Sequence, residues 1–108
     1  YLLNTIKDLT FDNIYHEHTN YWSLSSLNIF FKKLQLKIFR VEKINTHGGS
    51  IRVYISQDKN ILLDKSVENL LKVEEEFGLK NISTYLEFGK KIEILKNNFY
   101  IDIRFFFY

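Results

Sequence analysis

Three side chains within the segment YHEH could perform proton chemistry near neutral pH. Tyr15 carries a phenol, Glu17 a carboxylate and His18 an imidazole, with His16 between them. An imidazole whose unperturbed pKa is about 6.5 is suited to removing a proton as a general base. Glu17 is a candidate to orient that imidazole, and Tyr15 is a candidate to donate a hydrogen bond to a developing oxyanion.

The backbone conformation of this segment decides which side chains share a face. If it is extended, Tyr15 and Glu17 point to one side and His16 and His18 to the other, whereas a turn breaks that rule. The residue types alone leave both arrangements open. They also leave open the simpler interpretation that His18 is a hydrogen-bonded or solvated loop residue, because clusters of titratable groups mark functional sites only statistically.

A metal site is the weaker interpretation of the same histidines. His16 and His18 have the spacing of a chelating pair, and His47 is the third histidine of the chain. No carboxylate ligand is set by the spacing, however, and the chain contains no cysteine. We therefore predict no metal.

A second polar segment, HGGS, follows at residues 47–50. Gly48 and Gly49 favour a turn, because glycine adopts positive φ without steric cost. The alternative function is a close backbone approach to a ligand, with His47, Ser50 and Arg52 contacting its hydroxyl or phosphate groups. The glycines match neither a P-loop, which needs a lysine, nor the G-x-G-x-x-G pattern of a nucleotide loop.

The elements around these two segments follow from hydrophobic periodicity. Residues 2–9 have helical spacing, residues 10–22 form an ordered loop, and Ser23 is a predicted N-cap for the helix LSSLNIFFKKL. LQLKIFRVEKI and SIRVYIS read as two strands that pair as an antiparallel hairpin around NTHGG. A bulge at the glycines is compatible with this pattern.

The C-terminal half is predicted to be mainly helical. Ser66 is the expected N-cap of VENLLKVEEEF, which ends at Gly78, and Ser83 is the expected N-cap of TYLEFGKKIEIL. The aromatic tail FYIDIRFFFY is predicted to be a strand. One hairpin is too little sheet for a complete α/β domain, so we interpret the chain as the C-terminal part of a larger unit.

Composition excludes several classes of function. The net charge of +2 over 108 residues, with scattered basic residues, does not predict nucleic-acid binding. No apolar run approaches the roughly 20 residues of a membrane span, and no signal-peptide pattern opens the chain. The default location is the cytoplasm.

The two segments together resemble a known family. FDNIYHEHTNYWSLSSL followed by LQLKIFRVEKINTHGGSIRVYIS is similar to the S-adenosylmethionine-dependent C-methyltransferases that act on nucleotide-linked keto-deoxysugars. The resemblance covers residues 1–57, weakens through residues 67–78 and stops near Lys90. It implies an α/β fold: residues 1–57 would be the C-terminal part of a Rossmann-like core with the active-site loop. Residues 58–108 would begin a truncated C-terminal helical or α/β domain.

The resemblance also implies roles for individual residues. His18 would be the base that removes the proton beside the sugar ketone, assisted by Tyr15 and Glu17. The cofactor would be S-adenosylmethionine, bound by a glycine-rich loop upstream of Tyr1 in the missing N-terminal half of the same protein. The chain by itself is therefore expected to be inactive. The alternative is a non-catalytic interaction module that docks a partner through its aromatic tail and the apolar faces of the hairpin.

Overall fold

The computed structural model describes the backbone of residues 1–107 and the side chains of residues 1–99. It is a mixed α/β structure with a two-stranded antiparallel hairpin followed by helices, which confirms the predicted fold class. In chain order the elements are α1 (Leu2–Lys7), a 3-10 turn (Phe11–Asn13), α2 (Leu24–Lys33), β1 (Lys37–Ile44), β2 (Ser50–Ser56), α3 (Lys65–Phe77) and α4 (Ile82–Phe107).

The N-terminal half matches the prediction closely. Ser23 is the N-cap of α2, where its hydroxyl accepts a hydrogen bond from the backbone N–H of Ser26 and the Ser26 hydroxyl caps in return. Residues 10–22 form a loop between α1 and α2 that contains the 3-10 turn. Along the predicted apolar face of this segment, Leu24 is buried, whereas Phe30 and Leu34, the residue that follows α2, are exposed.

The hairpin pairs β1 with β2 in the predicted antiparallel register. The irregularity of the register lies between Ile38 and Arg40, and not at the glycines. Phe39 is the extra residue there, and its carbonyl accepts a hydrogen bond from the N–H of Asp64 at 2.8 Å. The bulge thus turns one peptide group of β1 toward the chain that leads into α3.

The start of α3 differs by two residues from the prediction. Asp64 is the N-cap, and its carboxylate accepts a hydrogen bond from the N–H of Ser66 at 2.8 Å. The Ser66 hydroxyl instead accepts from the N–H of Val41 at 3.1 Å and so ties α3 to β1. Gly78 ends the helix with φ of 85°, as predicted from its freedom to adopt left-handed backbone.

The aromatic tail is helical, so the prediction of a strand at residues 99–108 is wrong over its described part. α4 runs without interruption from Ile82 to Phe107, and residue 108 lies outside the described residues. No proline interrupts this segment, and a helix satisfies its own backbone hydrogen bonds without a neighbouring strand. The same helix begins at Ile82, which places the predicted N-cap Ser83 inside it. Among the residues that the structure describes, no helix is both long and apolar enough to cross a membrane.

Two apolar clusters support these elements. The larger joins α2, the hairpin and α3, and its buried residues are Leu24, Ile38, Val41, Val67 and Leu70. The smaller joins α1 to the start of α4 and is formed by Leu3, Ile6 and Leu79, with Tyr85 and Phe88 packed against it. The ring of Tyr1 packs against both clusters, so it lies where the two halves of the structure meet.

A buried carboxylate lies at the same junction. Glu74 on α3 is only 2% exposed. Its Oε1 accepts hydrogen bonds from the N–H of Leu24 and from the phenol of Tyr1, both at 2.6 Å, and its Oε2 accepts from the N–H of Ser25 at 2.8 Å. The first backbone donors of α2 are therefore satisfied by a residue fifty positions away, and the positive end of the helix dipole favours the negative charge there.

The Tyr1 phenol gives a prediction about alkaline pH. Burial raises the pKa of Tyr1 well above its ordinary value, and the adjacent Glu74 carboxylate raises it further. The folded state thus keeps this proton while the unfolded state releases it above pH ~10. The contribution of the Tyr1 phenol to the free energy of unfolding is therefore fully present below pH ~10 and is lost as the pH rises above it.

We expect the free energy of unfolding of the native chain to approach that of Tyr1→Phe as the pH increases from 8 to 11. Urea denaturation at each pH measures both values. A constant difference between the two proteins over this range would contradict the shifted pKa.

Candidate functional site

An open cavity of about 520 Å³ lies between the loop of residues 10–22, α1 and the hairpin. Its volume falls within the roughly 300–1,000 Å³ of small-molecule sites. Its lining is rich in aromatic rings, with amide and hydroxyl groups between them. The lining residues are Tyr1, Leu2, Thr5, Asn13, Tyr15, His18, Asn20, Tyr21, Trp22, Leu27, His47, Ser50, Ile51 and Val53.

The segment that carries His18 is a turn. The N–H of His18 donates to the carbonyl of Tyr15 at 3.0 Å, which closes a four-residue turn over YHEH. The turn brings Tyr15 and His18 to the same side, where their ring centroids are 4.2 Å apart. Both side chains line the cavity, although Tyr15 remains 44% exposed.

Two hydrogen bonds fix the orientation of the His18 ring. Nδ1 lies 2.8 Å from the carbonyl oxygen of Asn13, and Nε2 lies 3.1 Å from the phenol oxygen of Tyr15. A carbonyl oxygen can only accept, so in the neutral ring Nδ1 carries the proton and Nε2 is the free base. Tyr15 is consequently the donor in the second bond. A backbone oxygen behind the ring also stabilises the imidazolium that forms when Nε2 takes a proton.

The hairpin turn contributes His47 and Ser50 to the opposite wall of the cavity. Ser50 donates its hydroxyl to the carbonyl of Thr46 at 3.1 Å, which leaves its oxygen lone pairs available. Glycine is required at position 49, where the hairpin turn packs against α1. The φ of Gly49 is 108°, and a Cβ there would lie 2.6 Å from the side chain of Asn4 on α1. The turn can therefore pack on α1 only with glycine at this position.

Glu17 and His16 do not reach the cavity. The turn points both outward, with His16 Nε2 3.9 Å from Glu17 Oε1 and their side chains 90% and 70% exposed. The extended arrangement, in which Tyr15 and Glu17 share a side, is thus not the one adopted. The hydrogen bonds of the His18 ring go to Tyr15 and Asn13, and the carboxylate of Glu17 is paired with His16.

Arg52 also lies away from the cavity. Side chains alternate along a strand, so Ile51 and Val53 face the cavity while Arg52 faces the other side of the hairpin. There its guanidinium is 3.6 Å from the carboxylate of Glu42, which also accepts from Tyr54. Of the six predicted site residues, the structure brings four together and leaves Glu17 and Arg52 outside.

Sequence reasoning missed several residues of this site. Asn13 acts through its backbone carbonyl, which accepts from both His18 and the phenol of Tyr21. Tyr21 and Trp22 line the wall beside α2. A backbone acceptor leaves no signal in residue type, but the aromatic pair directly before a predicted N-cap could have been identified as a wall.

The described residues do not fit a nucleotide or S-adenosylmethionine site. Their sheet has two antiparallel strands, and Gly48 and Gly49 join one strand to the other. A nucleotide loop instead runs from a strand into a helix N-terminus. Within residues 1–99, no three histidine, cysteine or acidic side chains are grouped closely enough to hold a metal ion.

The chain thus has a mixed α/β fold in which a tyrosine–histidine pair and a glycine-containing hairpin turn line the same cavity. The profile of the C-methyltransferase C-terminal domain family matches residues 45–103. The chain therefore belongs to the C-methyltransferase family and represents a C-terminal part of it. The match continues to residue 103, so the expectation that the resemblance stops near Lys90 is corrected.

A curated relative gives the same assignment. The chain is similar to C-methyltransferase NovU from Streptomyces niveus, with 34% identity over 96 residues. The similarity covers 86% of this chain and 22% of that protein. The chain thus spans about a fifth of the length of this relative.

The hydrogen bonds of His18 predict its tautomer. In the neutral His18 ring we expect the proton on Nδ1, because the Asn13 carbonyl oxygen beside it can only accept. Multiple-bond ¹H–¹⁵N correlation spectra of the labelled chain distinguish the two nitrogens, with exposed His16 as the reference. A neutral His18 protonated at Nε2 would contradict the geometry.

Proposed function

We propose that this chain supplies the substrate-side catalytic loop of an S-adenosylmethionine-dependent C-methyltransferase. The substrate class is a nucleotide-linked keto-deoxysugar, and the site methylates the carbon beside its ketone. The observation that carries the proposal is the placement of His18 Nε2 and the Tyr15 phenol 3.1 Å apart at the edge of one cavity.

A ketone presents its acidic C–H and its carbonyl oxygen on adjacent atoms, so a base and a donor must also be adjacent. Substrate would enter between Tyr15 and His18 and replace their mutual hydrogen bond. Nε2 of His18 takes the proton, and the electron pair of the C–H bond forms the enolate. The Tyr15 O–H donates to the new oxyanion, while Asn13 holds the imidazolium through Nδ1.

The types of side chain that line the cavity support a carbohydrate ligand. Tyr21 and Trp22 offer flat apolar surfaces for the C–H faces of a sugar ring. Asn20, His47 and Ser50 offer donors and acceptors for its hydroxyl groups. This combination of apolar surface and a few placed polar groups is typical of sites that orient a small polar ligand.

We propose that the methyl donor binds to another part of the protein. In the family the methyl group comes from S-adenosylmethionine, which the described residues do not fit. The residues of this chain therefore act up to the formation of the enolate. We further propose that the chain by itself binds no cofactor and is inactive.

The role of His18 is tested in a full-length protein that contains this chain. We expect His18→Asn to lower methyl transfer by about 10²–10⁴-fold, the usual contribution of a placed base. Cofactor affinity is expected to remain unchanged, because His18 lies on the substrate side. Steady-state kinetics and titration calorimetry measure the two quantities, and exchange of the sugar C–H with D₂O should fall in parallel.

His16→Asn is the matched control, since it removes the same side chain from an exposed position two residues away. It should retain activity and proton exchange. Full activity in His18→Asn would refute the base assignment.

The cofactor proposal is tested on the 108-residue chain. Titration calorimetry with S-adenosylmethionine is expected to give no binding, because the strand–loop–helix connection among the described residues, from β2 to α3, contains no glycine for a nucleotide loop. A keto-deoxysugar nucleotide is the comparison ligand for the cavity. Micromolar binding of S-adenosylmethionine would overturn the proposal that its site lies elsewhere.

A further inference from the structure

We propose that Glu74 is a positioning residue for the catalytic loop, acting from the C-terminal domain through the N-terminus of α2. This inference rests on the proposed role of the Tyr15–His18 pair. The hydrogen-bond partners of Glu74 are Tyr1, Leu24 and Ser25, and Glu74 is absent from the cavity lining.

Glu74 holds the first backbone donors of α2. Leu24 and Ser25 are the first two residues of α2, and their N–H groups have no partner within the helix. Glu74 accepts from both, whereas the next N–H is satisfied locally by the Ser23 hydroxyl. Since all its donors are neutral groups, the buried charge depends on these few bonds and on the helix dipole.

The start of α2 is connected directly to the loop of residues 10–22. Trp22 lines the cavity and is separated from Leu24 by a single residue. Its carbonyl accepts from the N–H of Leu2 at 3.1 Å. Fixing the start of α2 therefore also fixes the C-terminal end of the loop against α1.

Tyr1 is held by the same carboxylate, because its phenol donates to Glu74, and its side chain also lines the cavity. One carboxylate thus holds two separate parts of the cavity wall. The loop that carries Tyr15 and His18 is anchored at its end by α2 and faces Tyr1. Without Glu74 the wall would lose both anchors together.

Glu74→Gln tests this arrangement because it keeps the volume of the side chain. Glutamine presents one oxygen and one NH₂ group, so it can accept from Leu24 or Ser25 but directs donors at the other. Glu75→Gln is the matched control, since Glu75 is the next residue on α3 and is exposed.

Two NMR measurements on the full 108-residue chain provide the readouts. The first is amide hydrogen exchange at Leu24 and Ser25, expected to accelerate by roughly tenfold or more in Glu74→Gln. The second is the cross-relaxation between the rings of Tyr15 and His18, expected to be lost in the same variant. Amide protection of Glu42 and Arg52, which are paired directly across the hairpin, should be retained. Glu75→Gln should match the native chain throughout.

Faster exchange at Leu24 with an unchanged Tyr15–His18 contact would overturn the proposal, because Glu74 would then be only a helix cap. If Glu74→Gln does not fold, Glu74→Asp is measured instead. Aspartate keeps the negative charge but is shorter by one methylene group, so its carboxylate lies farther from the donors. The same two outcomes support or overturn the proposal. Neither readout involves methyl transfer. Failure of this inference and failure of the His18 base assignment are therefore distinguishable.

Discussion

The burial of the Glu74 carboxylate constrains the whole arrangement of this protein. An ionised carboxylate inside a small domain is costly unless its oxygens are fully hydrogen-bonded. Here the three donors come from the first residue of the chain and from the start of α2, so they are brought together only when α3 packs against both. The larger apolar cluster, built around Leu24 and Leu70, supports the same packing. The hydrogen bonds to the Glu74 carboxylate and the burial of the apolar cluster thus favour the same packing of α3.

The loop of residues 10–22 is supported at both ends by this packing. Residues 10–22 are mostly exposed and bury few apolar side chains of their own. They are held at one end by α1, through the bond from Thr10 to Thr5, and at the other by the capped start of α2. Between these supports the 3-10 turn and the turn over YHEH place the Asn13 carbonyl behind His18.

The family assignment places most of this packing within the C-terminal domain of a C-methyltransferase. The matched residues 45–103 include Glu74 and the hairpin turn, while the loop with Tyr15 and His18 precedes them. The two parts meet at the cavity, where His47 and Ser50 form one wall and the loop forms the other. In the proposed enzyme, the C-terminal domain is thus part of what holds the site together.

The sequence by itself determined the features that depend on neighbouring residues. The Ser23 cap, the hairpin and the left-handed stop at Gly78 all follow from local sterics and short hydrogen bonds. The tertiary structure decided that Glu74 is buried, that Glu17 and Arg52 face away from the cavity, and that the aromatic tail is helical over its described residues. These outcomes depend on which distant surfaces come together, and periodicity reports only that a face is apolar. It does not report which donor, strand or solvent lies opposite that face.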